Sequence, residues 1–120
     1  MSLNQTIVND FCDRWIDTWN NGNIDDFLEL LVEDTELVST LALRLIPESN
    51  GCLKGKQILR IYWAMVKDKI PDFKFKLIRT EFFEDKIIIH YQTISERVKA
   101  IAIFTVRDDL KVSKTEVSYV

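Results

Sequence analysis

Asn4–Val32 reads NQTIVNDFCDRWIDTWNNGNIDDFLELLV, and the spacing of its apolar residues decides the fold. Ile7, Val8, Phe11, Cys12, Trp15, Ile16 and Trp19 recur at i, i+3 and i+4, the spacing of a helix with one buried stripe. Asn9, Asp10, Asp13, Arg14, Asp17 and Thr18 occupy the other face and can stay in water. Two tryptophans on one stripe are larger than a helix–helix seam needs, so this helix is expected to close over something concave. Asn20-Asn21-Gly22-Asn23 should end it, because asparagine and glycine tolerate the left-handed backbone of a C-cap. Asn23 then caps a short second helix, with Asp25 and Asp26 favoured in its first turn by the helix dipole and Ile24, Phe27, Leu28 and Leu31 on its buried face.

Working outward, Glu33-Asp34-Thr35 reads as a turn and Glu36 to Thr40 as the start of a first strand. Leu41, Leu43 and Leu45 alternate with Ala42 and Arg44, as in a half-buried strand. Pro47 and Ser49-Asn50-Gly51 force a turn, and Gly55 precedes a long helix over Lys56 to Lys69. The buried stripe of that helix is expected to be Ile58, Leu59, Tyr62, Met65 and Val66, flanked by Ile61 and Trp63. Pro71 ends it, since proline cannot continue the hydrogen-bond ladder. From Phe73 onward the period becomes two. The stretches from Phe73, Ile87–Ile94, Val98–Val106 and Val112–Val120 are separated by the polar turns Glu84-Asp85-Lys86, Ser95-Glu96 and Arg107-Asp108-Asp109-Leu110, which makes an antiparallel meander. Helices first and strands afterwards mean an α+β fold, with three helices packed on one face of a curved antiparallel sheet that is mixed at its edge.

The chain of 120 residues is expected to form one domain over 1–120, and at 47% hydrophobic it has enough apolar side chain for a core. A net charge of −3 and the lack of a basic run argue against nucleic acid. No apolar stretch approaches the roughly 20 residues that span a bilayer, and the N-terminal residues lack the pattern of a signal peptide. Cys12 and Cys52 belong to no Cys/His cluster, and His90 is the single histidine, so no metal site is expected. A reduced, cytoplasmic protein without a cofactor fits these features. Gly51-Cys52-Leu53-Lys54-Gly55-Lys56-Gln57 has three residues between its glycines instead of four, and Gln57 stands where a magnesium-binding hydroxyl would be needed. It is therefore no phosphate-binding loop.

Three stretches carry a family likeness: RWIDTWNNGNIDDFLELLVEDTEL at Arg14–Leu37, GKQILRIYW at Gly55–Trp63 and AIAIFTVRDDLKVSKTEV at Ala100–Val117. With the element order, they resemble the nuclear transport factor 2-like superfamily in its SnoaL-like branch. The resemblance implies a sheet curled into a cone, helices closing it into a mostly apolar pocket, and homodimers through the outer sheet face. It also implies a small, largely apolar ligand. The positions nominated for the pocket are Trp15, Trp19, Ser39, Tyr62, Trp63, Tyr91, Ala102, Phe104 and Tyr119. Isomerases, cyclases and non-catalytic proteins share this fold, so it does not choose among them.

Ketosteroid isomerase-like members use an aspartate base, a tyrosine and a protonated acid. Those roles align with Ser39, Trp15 and Ala102 here, which cannot perform them, so steroid isomerisation is not expected. SnoaL-like cyclases use an acid on the C-terminal strand, where Glu116 is the only acid. Glu116 faces out if Thr115, Val117 and Tyr119 face in, and a shift of one residue reverses this. His90 titrates near neutral pH without help and is the candidate base if it faces inward. A two-residue turn at Ser95-Glu96 pairs His90 with Ile101 on the outer face, and one more residue in the loop pairs it with Ala102 on the inner face. In the outer phase His90 shares a surface with Ile88, Ile101 and Ile103, an apolar strip suited to a partner. Tyr62, Trp63, Tyr91 and Tyr119 either pack or touch the pocket. A non-catalytic dimerisation module is the alternative reading.

Overall fold

The computed structural model describes residues 2–94 and 97–119. Helix α1 spans Gln5–Asn20 and buries Val8, Phe11, Cys12, Trp15 and Trp19, the stripe its spacing predicts. Asn4 starts it, its side-chain oxygen accepting from the Ile7 amide at 2.9 Å. Helix α2 covers Ile24–Glu29. Its cap is Asn23, which accepts from the Asp26 amide at 3.2 Å.

Strand β1 runs over Leu31–Ser39, so Glu33-Asp34-Thr35 lies inside a strand and is not the expected turn. Its pairing with β6 (Val112–Tyr119) shifts register between Leu31 and Glu36. That irregularity lets Glu33 and Asp34 stand in water while Thr35 turns inward and donates to the Val112 carbonyl at 3.0 Å. Leu41–Leu45 also departs from expectation. Thr40–Leu45 is helix α3, with Leu41 and Ala42 buried and Leu43 exposed. The alternating phase was ambiguous because Ala42 is apolar too and leucine favours a helix. Ser39 helps, its hydroxyl accepting from the Leu41 amide at 3.2 Å. The described residues therefore hold four α-helices, where three are expected.

After a short 3-10 turn at Pro47–Ser49, strand β2 (Cys52–Lys54) pairs antiparallel with β1. Helix α4 spans Lys56–Lys69 and buries Leu59, Tyr62, Trp63 and Val66. Its inward face is rotated from the expected stripe: Trp63 lies inside, whereas Ile58 and Ile61 are exposed. Strands β3 (Phe75–Phe83), β4 (Lys86–Thr93), β5 (Lys99–Val106) and β6 form the meander. The connecting turn at Ser95-Glu96 lies outside the described residues.

The sheet has the order β2-β1-β6-β5-β4-β3. Among the described residues β1 and β6 alone run parallel; the other neighbours are antiparallel. This is the α+β fold expected, a mixed curved sheet left open at both edges. Its inner face presents Ile87, Ile89 and Tyr91 from β4 and Ala100, Ala102 and Phe104 from β5, all buried. Phe104 meets Phe11 and Trp15 of α1 edge-on, at ring-centroid distances of 5.3 and 5.2 Å, which seats the helix on the sheet.

Candidate functional site

The register of the meander decides what faces inward. Leu77 pairs with Tyr91, Tyr91 with Ala100, and Ala100 with Tyr119. These residues form one row across the inner face. Ala100 takes little room between the two tyrosines, and Ala102 does the same between Ile89 and Val117. Above this face the aromatic side chains of α1 and α4 do not fill the space completely.

A cavity remains there, with about 70 Å³ open to the centre of a water molecule. A single water needs only about 10–15 Å³ by that measure, so this is more than a packing defect. Four stacked rings form its wall: Trp63 lies on Trp19 (5.4 Å), Trp19 on Phe75 (4.9 Å), and Phe75 on Trp15 (5.4 Å). Trp19 is anchored, since its Nε1 donates to the Phe73 carbonyl at 2.6 Å. Lys67 Nζ sits 5.7 Å from the Trp19 ring and 5.5 Å from the Trp63 ring, a geometry that favours the cation over the aromatic faces. Burial, and then Lys74, lower the Lys67 pKa. Trp63 is buried, yet its Nε1 has no hydrogen-bond partner among the described residues. An unpaired buried donor is uncommon in a folded protein.

The polar part of the lining consists of hydroxyls. The Ser39 hydroxyl lies beside Tyr62, and Tyr119 lies beside Tyr91. Thr115 completes the set. Burial pushes the Tyr62 phenol well above its usual range, and the neighbouring Tyr119 adds to this, while the Ser39 hydrogen bond opposes it. Tyr91 is raised in the same sense, by burial first and then by Tyr119 and Tyr62. Both phenols therefore stay protonated through the neutral range and act as hydrogen-bond donors. No acid, histidine, lysine or arginine lines this cavity among the described residues.

Of the nine nominated positions, Trp15, Trp19, Ser39, Tyr62, Trp63, Tyr91 and Tyr119 border the cavity. Ala102 and Phe104 do not: both are fully buried beneath it, Phe104 because Phe11 and Trp15 cover its ring. Phe27, Leu41, Phe73 and Phe75 belong to the lining without having been nominated. The alternation of Phe73 and Phe75 with lysines was the available signal.

His90 pairs with Ile101 and stands on the outer face, where its Nε2 lies 2.5 Å from Glu81 Oε2. The hydrogen bond from His90 holds the Glu81 carboxyl below its usual pKa, aided by nearby Arg79. His90 therefore cannot serve the cavity as a base. Glu116 also faces out, pairing with Ile103 and lying 3.4 Å from Lys114 Nζ. Among the described residues no three His, Cys, Asp or Glu side chains converge as a metal site. No helix among them is long and apolar enough to cross a membrane.

The mixed six-stranded sheet with its helices is a nuclear transport factor 2-like fold. The chain belongs to the SnoaL-like family, since the model of the SnoaL-like domain matches residues 12–114. A SnoaL-like protein of unknown function from Burkholderia thailandensis is 28% identical, superposes with a TM-score of 0.92, and is matched over 100% of this chain and 99% of that one. A proposed polyketide cyclase from Sinorhizobium meliloti shares the fold at 13% identity (TM-score 0.75, 91% and 94% of the two chains). So does a proposed ketosteroid isomerase from Kribbella flavida at 16% identity (TM-score 0.69, 94% and 77%). Comparison with curated proteins finds no match.

Proposed function

We propose that residues 1–120 form one SnoaL-like domain that binds a small, largely apolar molecule carrying a hydrogen-bond acceptor. One observation carries this reading: an aromatic cavity that contains several hydroxyls and no charged side chain. Stacked rings bind a flat apolar body, while protonated Tyr62 and Tyr91 and the open Trp63 N–H suit a carbonyl oxygen. Donors of this kind polarise a carbonyl, as isomerase- or cyclase-type proton transfer requires. Abstracting a carbon-bound proton also needs a base, and the described lining offers none that is ionised near pH 7. Binding is thus the better reading of the site.

Titration with acetophenone, followed by quenching of tryptophan fluorescence, tests it. Saturable quenching that weakens in Tyr62→Phe and is unchanged in His90→Gln is expected. No saturable response up to millimolar ligand would refute the reading.

A homodimer through the outer sheet face is supported by a separate observation. Val38 lies opposite Glu116, which pairs with Ile103, which pairs with Ile88. Ile88, Ile101 and Ile103 thus make an apolar strip, with Glu116 separating them from Val38. The two cysteines are free, which agrees with a cytoplasmic setting. Ile103→Lys should shift the sedimentation coefficient to that of a monomer. A wild-type protein that is already monomeric at micromolar concentration would remove the dimer.

A further inference from the structure

Beside the aromatic cavity lies a second chamber, with about 190 Å³ open to the centre of a water molecule. Leu41, Phe73 and Tyr119 line both spaces, so the two are neighbours across shared side chains. The remaining walls come from α3 (Thr40, Arg44), from Ile70, and from Thr93 and Val98 at the β4–β5 end.

The two chambers differ in charge. Among the described residues the inner one has no ionic side chain, whereas the outer one is lined by Arg44 and by no carboxylate. Two cations elsewhere on the helices and sheet have acids beside them: Arg60 has Asp25 at 2.7 Å and Lys54 has Glu36 at 3.7 Å. Arg44 has no ion pair or hydrogen bond among the described residues. Its place in the last turn of α3 suits the helix dipole, but that leaves the five N–H donors of its fork unmatched. Thr93 is occupied, its Oγ1 accepting from the Val98 amide at 2.9 Å. Arg44 is accordingly the group in this chamber fitted to hold an anion. A single guanidinium matches the charge and planar geometry of one carboxylate. A phosphate dianion would be left with excess charge.

We propose that the ligand is an aryl-substituted carboxylic acid, its ring in the inner cavity and its carboxylate in the outer chamber against Arg44. The proposal rests on the binding reading above and adds the chemical class and orientation of the ligand. A short alkyl spacer between ring and acid would pass Leu41, Phe73 and Tyr119, the residues common to the two chambers.

The test compares 3-phenylpropanoate with its uncharged isostere 3-phenylpropanamide, by calorimetric titration of wild-type and Arg44→Gln protein at low salt. Arg44 is exposed, so the substitution leaves the core intact. The wild type should bind the acid about tenfold more tightly than the amide, the scale of a partly exposed charge-assisted hydrogen bond. Arg44→Gln should bind both at the affinity of the amide, and the wild-type preference should shrink as salt is raised. Equal binding of acid and amide to the wild type, or an unchanged preference in Arg44→Gln, overturns the assignment of Arg44 while leaving the cavity as a binding site. Binding of neither compound overturns both readings together.

Discussion

Trp19 and Trp63 lie in one stack, 5.4 Å apart and nearly parallel, yet among the described residues only one of the two indoles makes a hydrogen bond. Trp19 Nε1 donates to the buried Phe73 carbonyl, whereas Trp63 Nε1 has no partner among the described residues. Replacing either with phenylalanine removes a similar amount of ring and keeps a stacking face. The two variants should nevertheless differ in stability. Trp19→Phe strands the Phe73 oxygen, which costs about 1–3 kcal/mol, while Trp63→Phe removes an N–H that was already unsatisfied. A difference of about 2 kcal/mol is expected between them. For a chain of 120 residues the unfolding entropy near the midpoint is about 250 cal/mol/K, so Trp19→Phe should melt about 8 °C below Trp63→Phe. Urea titration should give the same ordering, with unchanged slopes confirming that both variants unfold in the same cooperative step. Equal melting temperatures, or Trp63→Phe being the less stable, would refute the reasoning. Either result would mean that the Trp19–Phe73 bond does not anchor the cavity wall.

Two other consequences follow from buried titratable groups. Burial, with a smaller contribution from Asp13, pushes the Cys12 thiol up to about 12, whereas Cys52 is exposed. A thiol-labelling reagent at pH 8 should therefore modify one cysteine in the folded protein and both in denaturant; rapid labelling of both in the folded protein would contradict the burial of α1. The raised pKa values of Tyr62 and Tyr91 make the folded state bind protons that the unfolded chain releases from about pH 10. Their contribution to stability is complete below that value and declines as pH rises further. Urea midpoints measured at pH 8, 9.5 and 11 should stay level and then fall. A midpoint that rises at pH 11 would reverse the assigned direction.

The legible parts of this protein are those in which local pattern and burial coincide. The stripe from Val8 to Trp19 appears as drawn, because nearly two-thirds of a helix surface can stay wet and the apolar remainder must be covered. The alternation in β4 and β5 marks two faces in the same way. Leu41–Leu45 departs from the expected strand for a local reason: a leucine-rich run with alanine in the intervening place fits either period. The irregularity in β1 leaves no local mark, because Glu33-Asp34 looks like any polar turn. Trp63 was set at the flank of α4, and only the position of α1 beside it turns that ring inward.

The SnoaL-like family and the α+β order of elements follow from the sequence alone, since both rest on local periodicity and on recognisable stretches. Which face of each strand becomes the interior does not. His90 illustrates this: one residue more in a turn would have sent it to the other side, and the pairing with Ile101 settles the matter. The meeting of Tyr91 with Tyr119 across Ala100, and of Arg44 with Thr93 and Val98 around one chamber, likewise joins residues far apart in the chain. Such contacts depend on strand register and helix packing, which are chosen by the energy of the whole core and not by any one segment.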